Sequence, residues 1–328
     1  MPDEPSPPTV TEVAAAAGVS AATVSRVLTG RVRVSTSARV QVHDAIARLG
    51  YVRHRAPRQV DHAAQGLPIA AVVFESTSRL FHDSFCARLL AGAEEELTSH
   101  GVPLLTMSAT RGTVASATRF LTAGGVAGVL LLGAQSTNPL VVSLAASLVP
   151  LRAAGRPPFD IPFTDVDNLD GARQAVEFLM LRGRRTIATI AGPPDAPAAV
   201  DRLYGYRRAM ELAGRQPIVA YGDFTAASGG HATAWLLDRT PRLDALFVAS
   251  DAMAAGALQA LRKAGRRVPE DVAVVGFDDA PLAAFTTPAL TTVRQPVEDL
   301  GAVTAGLLLQ PSEENPVLPT ELVVRAST

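Results

Sequence analysis

Over the first fifty residues the apolar positions recur at helical spacing. From Ile69 onward they gather instead into short runs separated by longer amphipathic stretches. Thr9-Val10-Thr11-Glu12 is a Ser/Thr-x-x-Glu capping box, in which hydroxyl and carboxylate each satisfy a backbone N–H that the helix leaves unpaired. It predicts a helix from Val10 to about Ala17, stopped by Gly18. Ser20 is placed to cap a second helix, Ala21 to Leu28, after a connection of about three residues, the grammar of a helix-turn-helix. Val24, Val27 and Leu28 share its inward face, leaving Ala21, Ala22, Ser25 and Arg26 outward. A third helix follows Val34-Ser35, with Val42, Ile46 and Leu49 as its stripe and Gly50 as its stop. Read as pattern alone, this is equally a three-helix bundle with a solvated basic face.

The later runs predict strands at Ile69–Phe74, Val102–Met107, Val126–Leu132, Thr186–Ala191, Ala245–Ala249 and Val272–Phe277. Between them lie helices such as Phe85–Thr98, with Phe85, Leu89, Ala93 and Leu97 on one face, and Ala252–Ala264 with Asp251 as its cap. Strands alternating with helices give a doubly wound parallel sheet, and some 260 residues exceed one ordinary domain of this kind, so two similar lobes are expected. The division is a tail over 1–8, a helix-turn-helix domain over 9–52, a linker over 53–67 and a two-lobed domain over 68–328.

Composition confines the function. With 48% hydrophobic and 19% charged residues in 328, the chain buries a core and is not disordered. No apolar run reaches the roughly 20 residues of a membrane span, and the start has no signal-peptide pattern, so a cytoplasmic protein is expected. The one cysteine, Cys86, lies in an apolar helical pattern and reads as core filler. The six histidines are scattered and suggest no metal site, and no cofactor is expected. A net charge of −1 hides an asymmetry: residues 9–60 carry eight arginines against Glu12 and Asp44, which is +6, and residues 61–328 carry −5. A small basic domain joined to a large acidic one fits a DNA reader fused to another module. Enzyme signatures are missing: the sequence has neither a phosphate-binding Gly-x-x-x-x-Gly-Lys-Ser/Thr loop nor a Gly-x-Ser-x-Gly elbow, and no Gly-x-Gly-x-x-Gly follows the first strand.

The stretch from Thr11 to Leu28, then Val34-Ser35 and Leu49-Gly50-Tyr51, closely resembles the DNA-binding segment of the lac repressor family, with the same spacing. The resemblance implies that the second helix lies in the major groove, with Ala21, Ala22 and Arg26 against base edges. Arg26 can donate a bidentate pair to guanine, whereas the alanines offer only methyl contacts. Thr9, Ser20, Thr23, Ser25, Thr29, Arg33, Ser35, Tyr51 and Arg55 complete the expected DNA-facing set, Thr23, Ser25, Arg33 and Ser35 as candidates for phosphate positioning. Thr29 stands where the family usually has asparagine. In relatives the linker becomes helical on DNA and wedges a leucine into the minor groove. Here Val60 holds that position as a smaller lever, Pro57 disfavours helix, and Asp61 sits badly near phosphate, so the hinge helix is expected to be short or missing.

The remainder resembles the family's effector domain, whose fold is that of periplasmic sugar-binding proteins. The matching pieces are Thr164–Asn168, Asp201–Ala209, Ala249–Ala257 and Val274–Asp279. The resemblance implies a ligand in the cleft between lobes, outside the carboxyl ends of the strands. It places there Asp278, directly after a strand, Arg202, at the start of a helix, the stacking aromatic Phe224, Ser250 in place of a common asparagine, and Phe81 or His82 from the first lobe. Such groups suit a polyhydroxylated or heterocyclic ligand, a sugar or related metabolite. Taken singly, Asp278 is also readable as a turn cap, Phe224 as core and Arg202 as half of a surface ion pair. The function implied is a homodimeric transcriptional regulator, a repressor or an activator according to operator position, that binds double-stranded operator DNA under the control of a small effector.

Overall fold

The structure is a computed structural model and describes residues 9–21, 23–24, 38, 41–42, 45, 66–74, 84–110, 112–133, 138–157, 160–312 and 314–328. The first helix, α1, spans Val10–Ala17. Its capping box is formed: Thr9 N donates to Glu12 Oε2 at 2.6 Å and Glu12 N to Thr9 Oγ1 at 3.3 Å. Gly18 ends it at φ 64°, a left-handed conformation that costs glycine nothing. Ser20 then caps the next turn, accepting from Thr23 N at 3.1 Å. Val13, Ala14, Ala17, Val24, Val42 and Ala45 form one buried cluster, so these described positions of the three expected helices pack together.

Beyond the linker the chain builds the same sheet twice. In the first lobe β1 (Ile69–Val73), β2 (Leu104–Ser108), β3 (Gly128–Leu132), β4 (Leu151–Ala154), β5 (Phe163–Val166) and β11 (Val317–Leu318) run in the order β11-β5-β4-β3-β1-β2, with every pairing parallel. In the second, β6 (Ile187–Ala191), β7 (Ile218–Tyr221), β8 (Ala245–Val248), β9 (Ala273–Asp278), β10 (Thr291–Arg294) and β12 (Glu321–Val323) run in the order β12-β10-β9-β8-β6-β7, with only β10 and β12 antiparallel.

The central strands are continuous apolar runs because helices cover both faces. Ile69, Ala71 and Val73 join a core with α2 (Ser84–Ser99) and α9 (Val297–Leu309). Ala70 and Val72 face the opposite core with α3 (Val114–Thr122) and α4 (Pro139–Ala145). The second lobe repeats this with α5 (Asn168–Leu181) and α6 (Pro197–Leu212) on one side, α7 (Ala226–Arg239) and α8 (Asp251–Lys263) on the other. Leu89, Ala93 and Leu97 of α2 are buried as their spacing predicts, and Cys86 is buried with them.

The six expected strands are present, each within two residues at either end, and polar residues conceal others. In β4, Arg152 is almost fully buried, and its guanidinium donates to the carbonyl oxygens of Ser312, Phe163 and Glu314. Three crossovers join the lobes, from β5 to α5, from β10 to α9 and from β11 to β12. Among the described residues no helix is long and apolar enough to cross a membrane.

Candidate functional site

The first of these crossovers brings Asn168, the opening residue of α5, beneath the carboxyl ends of the second lobe's strands. Asn168 Oδ1 accepts from Arg202 Nε at 2.8 Å. Arg202 Nη1 donates to the carbonyl of Ala249, just past β8, at 2.7 Å and to Asp278 Oδ1 at 3.3 Å. The guanidinium lies 3.7 Å from the centroid of the Phe277 ring, a stacked cation on an aromatic face. The second crossover adds Gln295, which is buried and donates from Nε2 to the same Asp278 oxygen at 2.6 Å.

Burial pulls Arg202 below the ordinary guanidinium range, and the carboxylates of Asp278, Asp165 and Asp251 oppose that fall, so it stays a cation. Asp165, on β5, is pushed up by burial, against bonds from the backbone N–H groups of Val166 and Arg156 and the charge of Arg202. Asp251 is pushed well above the carboxylate range, first by burial and then by the negative charge of Asp278. Its two oxygens accept from Thr292 Oγ1 at 2.6 Å and Ala280 N at 2.8 Å.

Two of the expected ligand residues sit in left-handed backbone: Phe224 at φ 67° and Asp278 at φ 120°, followed by Asp279 at φ 48°. Non-glycine residues hold such angles only where the surroundings impose them, and they concentrate at functional sites. Around Phe224 the loop after β7 is fixed on both sides. Asp223 Oδ1 accepts from Thr225 N at 3.0 Å and Thr225 Oγ1 at 2.6 Å, and Thr225 caps α7. The half-buried ring lies against Gly192, just past β6, where an added Cβ would come within 2.4 Å of it.

Asp279 turns to the other side. Its carboxylate pairs with Arg294 at 2.8 Å and Arg325 at 2.6 Å. Although burial pushes it up, those bonds together hold it below the usual range.

Arg202, Phe224, Ser250 and Asp278 thus all lie at or beside the carboxyl ends of β6 to β9, and Asp278 and Arg202 touch. Three placements differ from the sequence reading. Arg202 lies in the second turn of α6 rather than at its start. Asp278 closes β9 instead of following it. The cap of α8 is Ser250, which accepts from Met253 N at 3.3 Å, and Asp251 is the helix's first residue, turned inward. A hydroxyl caps without desolvating a charge, whereas Asp251 finds partners in Thr292 and Ala280. Asn168, Gln295, Phe277 and Asp165 are unassigned by the sequence reading. The Thr164–Asn168 stretch marked two of them as a motif without a role.

In the helix-turn-helix, Ala21 is exposed, and the hydroxyls of Thr9, Ser20 and Thr23 take part in the two caps. Ala22, Ser25, Arg26, Thr29, Arg33, Ser35, Tyr51, Arg55 and Val60, the linker with Pro57, and Phe81 and His82 of the first lobe lie outside the described residues.

A helix-turn-helix followed by two lobes with a polar, charge-paired cluster at the strand ends defines a DNA-binding regulator with a small-molecule domain. Residues 9–54 match the bacterial regulatory proteins of the lacI family, and residues 176–328 match the periplasmic binding protein-like domain. The transcriptional regulator CelR of Thermobifida fusca is 42% identical over 325 residues, covering 97% of this chain and 95% of that protein. The repressor CytR of Escherichia coli (strain K12) is 32% identical, covering 98% and 96%. A solved CelR–cellobiose complex superposes with a TM-score of 0.78 at 42% identity, covering 98% of this chain and 100% of that one. The lac repressor dimer bound to operator and an anti-inducer gives 0.70 at 30% identity, covering 98% and 99%. The chain belongs to the LacI family, and it is a DNA-binding transcriptional regulator, not an enzyme.

Proposed function

We propose that this regulator is a cytoplasmic homodimeric repressor whose grip on operator DNA is set by a sugar-like effector in the cleft between the lobes. The domains are those read from the sequence: tail 1–8, DNA-binding domain 9–52, linker 53–67 and effector domain 68–328. The observation that carries the effector reading is the Arg202–Asp278 pair at the strand ends, both side chains largely shielded and the guanidinium stacked on Phe277. A guanidinium and a carboxylate side by side grip adjacent hydroxyls, and Phe224 is the ring for the sugar's apolar face. That a 42% identical relative is solved with cellobiose makes β-linked glucose disaccharides the first ligands to try. Phe81 or His82 supplies the first lobe's contact, and Ser250 contributes at the mouth of β8.

On DNA, Ala21, Ala22 and Arg26 face bases, with Arg26 carrying most of the direct reading. Thr23, Ser25, Arg33 and Ser35 position phosphate, and Thr9, Ser20, Thr29, Tyr51, Arg55 and Val60 complete the interface. Two copies place two such helices on pseudo-palindromic half-sites, a reading supported by the similar lac repressor being solved as a dimer bound to operator. The experiment is genome-wide footprinting to find the operator, followed by fluorescence anisotropy at fixed salt with a panel of mono- and disaccharides including cellobiose. One sugar must change operator affinity. A panel in which several sugars bind the protein and none changes operator affinity would overturn the reading.

A further inference from the structure

Where the two lobes face each other beside the site, one exposed ion pair spans them. Arg156 follows β4 of the first lobe and Asp201 lies on α6 of the second, and Arg156 Nη2 meets Asp201 Oδ2 at 2.5 Å. The pair is the outer arc of a closed ring. Arg156 N donates to Asp165 Oδ2 at 3.1 Å, and Asp165 Oδ1 accepts from Asn168 Nδ2 at 3.1 Å. Asn168 Oδ1 accepts from Arg202 Nε, and Arg202 is the chain neighbour of Asp201.

The inner arc is buried and runs through the first crossover. Its bonds lie within one lobe or between residues three apart at the crossover itself. The outer arc joins the lobes directly, at residues that are partly exposed. Opening the cleft must break it.

We propose that Arg156 and Asp201 form an electrostatic latch between the lobes, which slows their opening and so slows effector release. The proposal rests on the cleft being the effector site for its kinetic consequence only; the latch itself concerns the lobes. Gly155, at φ 83°, turns the chain so that residue 156 both anchors to Asp165 and reaches across. Arg202 is thereby tied to the latch on two sides, through Asn168 and through the backbone of α6. An effector that settles Arg202 also settles Asp201 for its partner. Partly exposed pairs are modest, so the latch tunes a rate instead of deciding the fold.

The test uses the full-length protein with Arg156→Ala, Asp201→Ala, the double variant and the charge-swapped pair Arg156→Asp with Asp201→Arg. Small-angle scattering of the ligand-free proteins reads lobe opening, and stopped-flow release of the effective sugar reads the rate. Each single variant is expected to be more open and to release sugar roughly two- to fivefold faster. The double variant is expected to be no worse than either single, and the swap to return toward wild type. Additive single effects, a swap that behaves like the double variant, or singles indistinguishable from wild type in scattering overturns the latch. Should no sugar bind the wild type, the effector reading fails while the scattering series still decides the latch.

Discussion

Arg202 and Asp278 meet at 3.3 Å, and each is held by an amide from a different crossover between the lobes, Arg202 by Asn168 and Asp278 by Gln295. The pair belongs to the second lobe, yet its orientation depends on residues at two of the three crossovers between the lobes. Asn168→Ala or Gln295→Ala removes a hydrogen bond to a charged group, about 1.5–3 kcal/mol. Effector affinity measured by calorimetry is expected to fall by that amount, with operator affinity in the absence of effector within about twofold of wild type. Unchanged effector affinity in both variants would show that the amides merely fill space.

The DNA-reading face makes a separate prediction, since Ala21 and Ala22 cannot hydrogen-bond to a base. Arg26→Ala is expected to cost about 1–3 kcal/mol per half-site contact and to relax preference at one base pair. Binding to a library of operator variants checks it; wild-type selectivity in the variant would move the reading elsewhere.

Asp251 ties stability to pH. Its folded carboxyl sits well above the usual range because burial and the charge of Asp278 disfavour the anion. Deprotonation is therefore easier in the unfolded chain. The stability from the neutral form is fully present below the unfolded value and is lost as pH rises through the folded one. Asp251→Asn keeps an acceptor for Ala280 N and turns an amide toward Thr292, whose hydroxyl can rotate from donor to acceptor, so urea unfolding across that window is expected to be flatter with pH in the variant. Parallel wild-type and variant curves would assign the titration to another group.

Much of this was legible because parallel strands and capped helices leave local signals. The apolar runs at Ile69 and Ala245 are strands because helices cover both their faces, and the Thr9–Glu12 box needs only four residues to be recognised. Strand β10 was illegible for the opposite reason: Thr291 and Thr292 read as polar, yet both are fully buried with their hydroxyls bonded to Thr328 and Asp251. Arg152 hid β4 in the same way, since its carbonyl partners Ser312 and Glu314 arrive from some 160 residues away. Of the candidate cluster, the sequence nominates Arg202, Phe224, Ser250 and Asp278 through the resemblance, and the structure places them at or beside the strand ends. Asn168 and Gln295 acquire a role only when the crossovers bring them under the pair, a relation that no local spacing encodes.

The measurement that bears most directly on the whole account is operator binding by Asp278→Asn, followed by fluorescence anisotropy at one salt concentration with and without the sugar that acts on the wild type. Asparagine keeps the side chain's shape in its left-handed backbone and removes the charge that faces Arg202. Because the helix-turn-helix is untouched, the variant is expected to bind operator as the wild type does. Its response to the sugar, typically about 1–3 kcal/mol of coupling in such regulators, is expected to disappear at concentrations that saturate the wild type. A variant that responds to the sugar with wild-type affinity and amplitude would contradict the assignment of this cluster as the effector site.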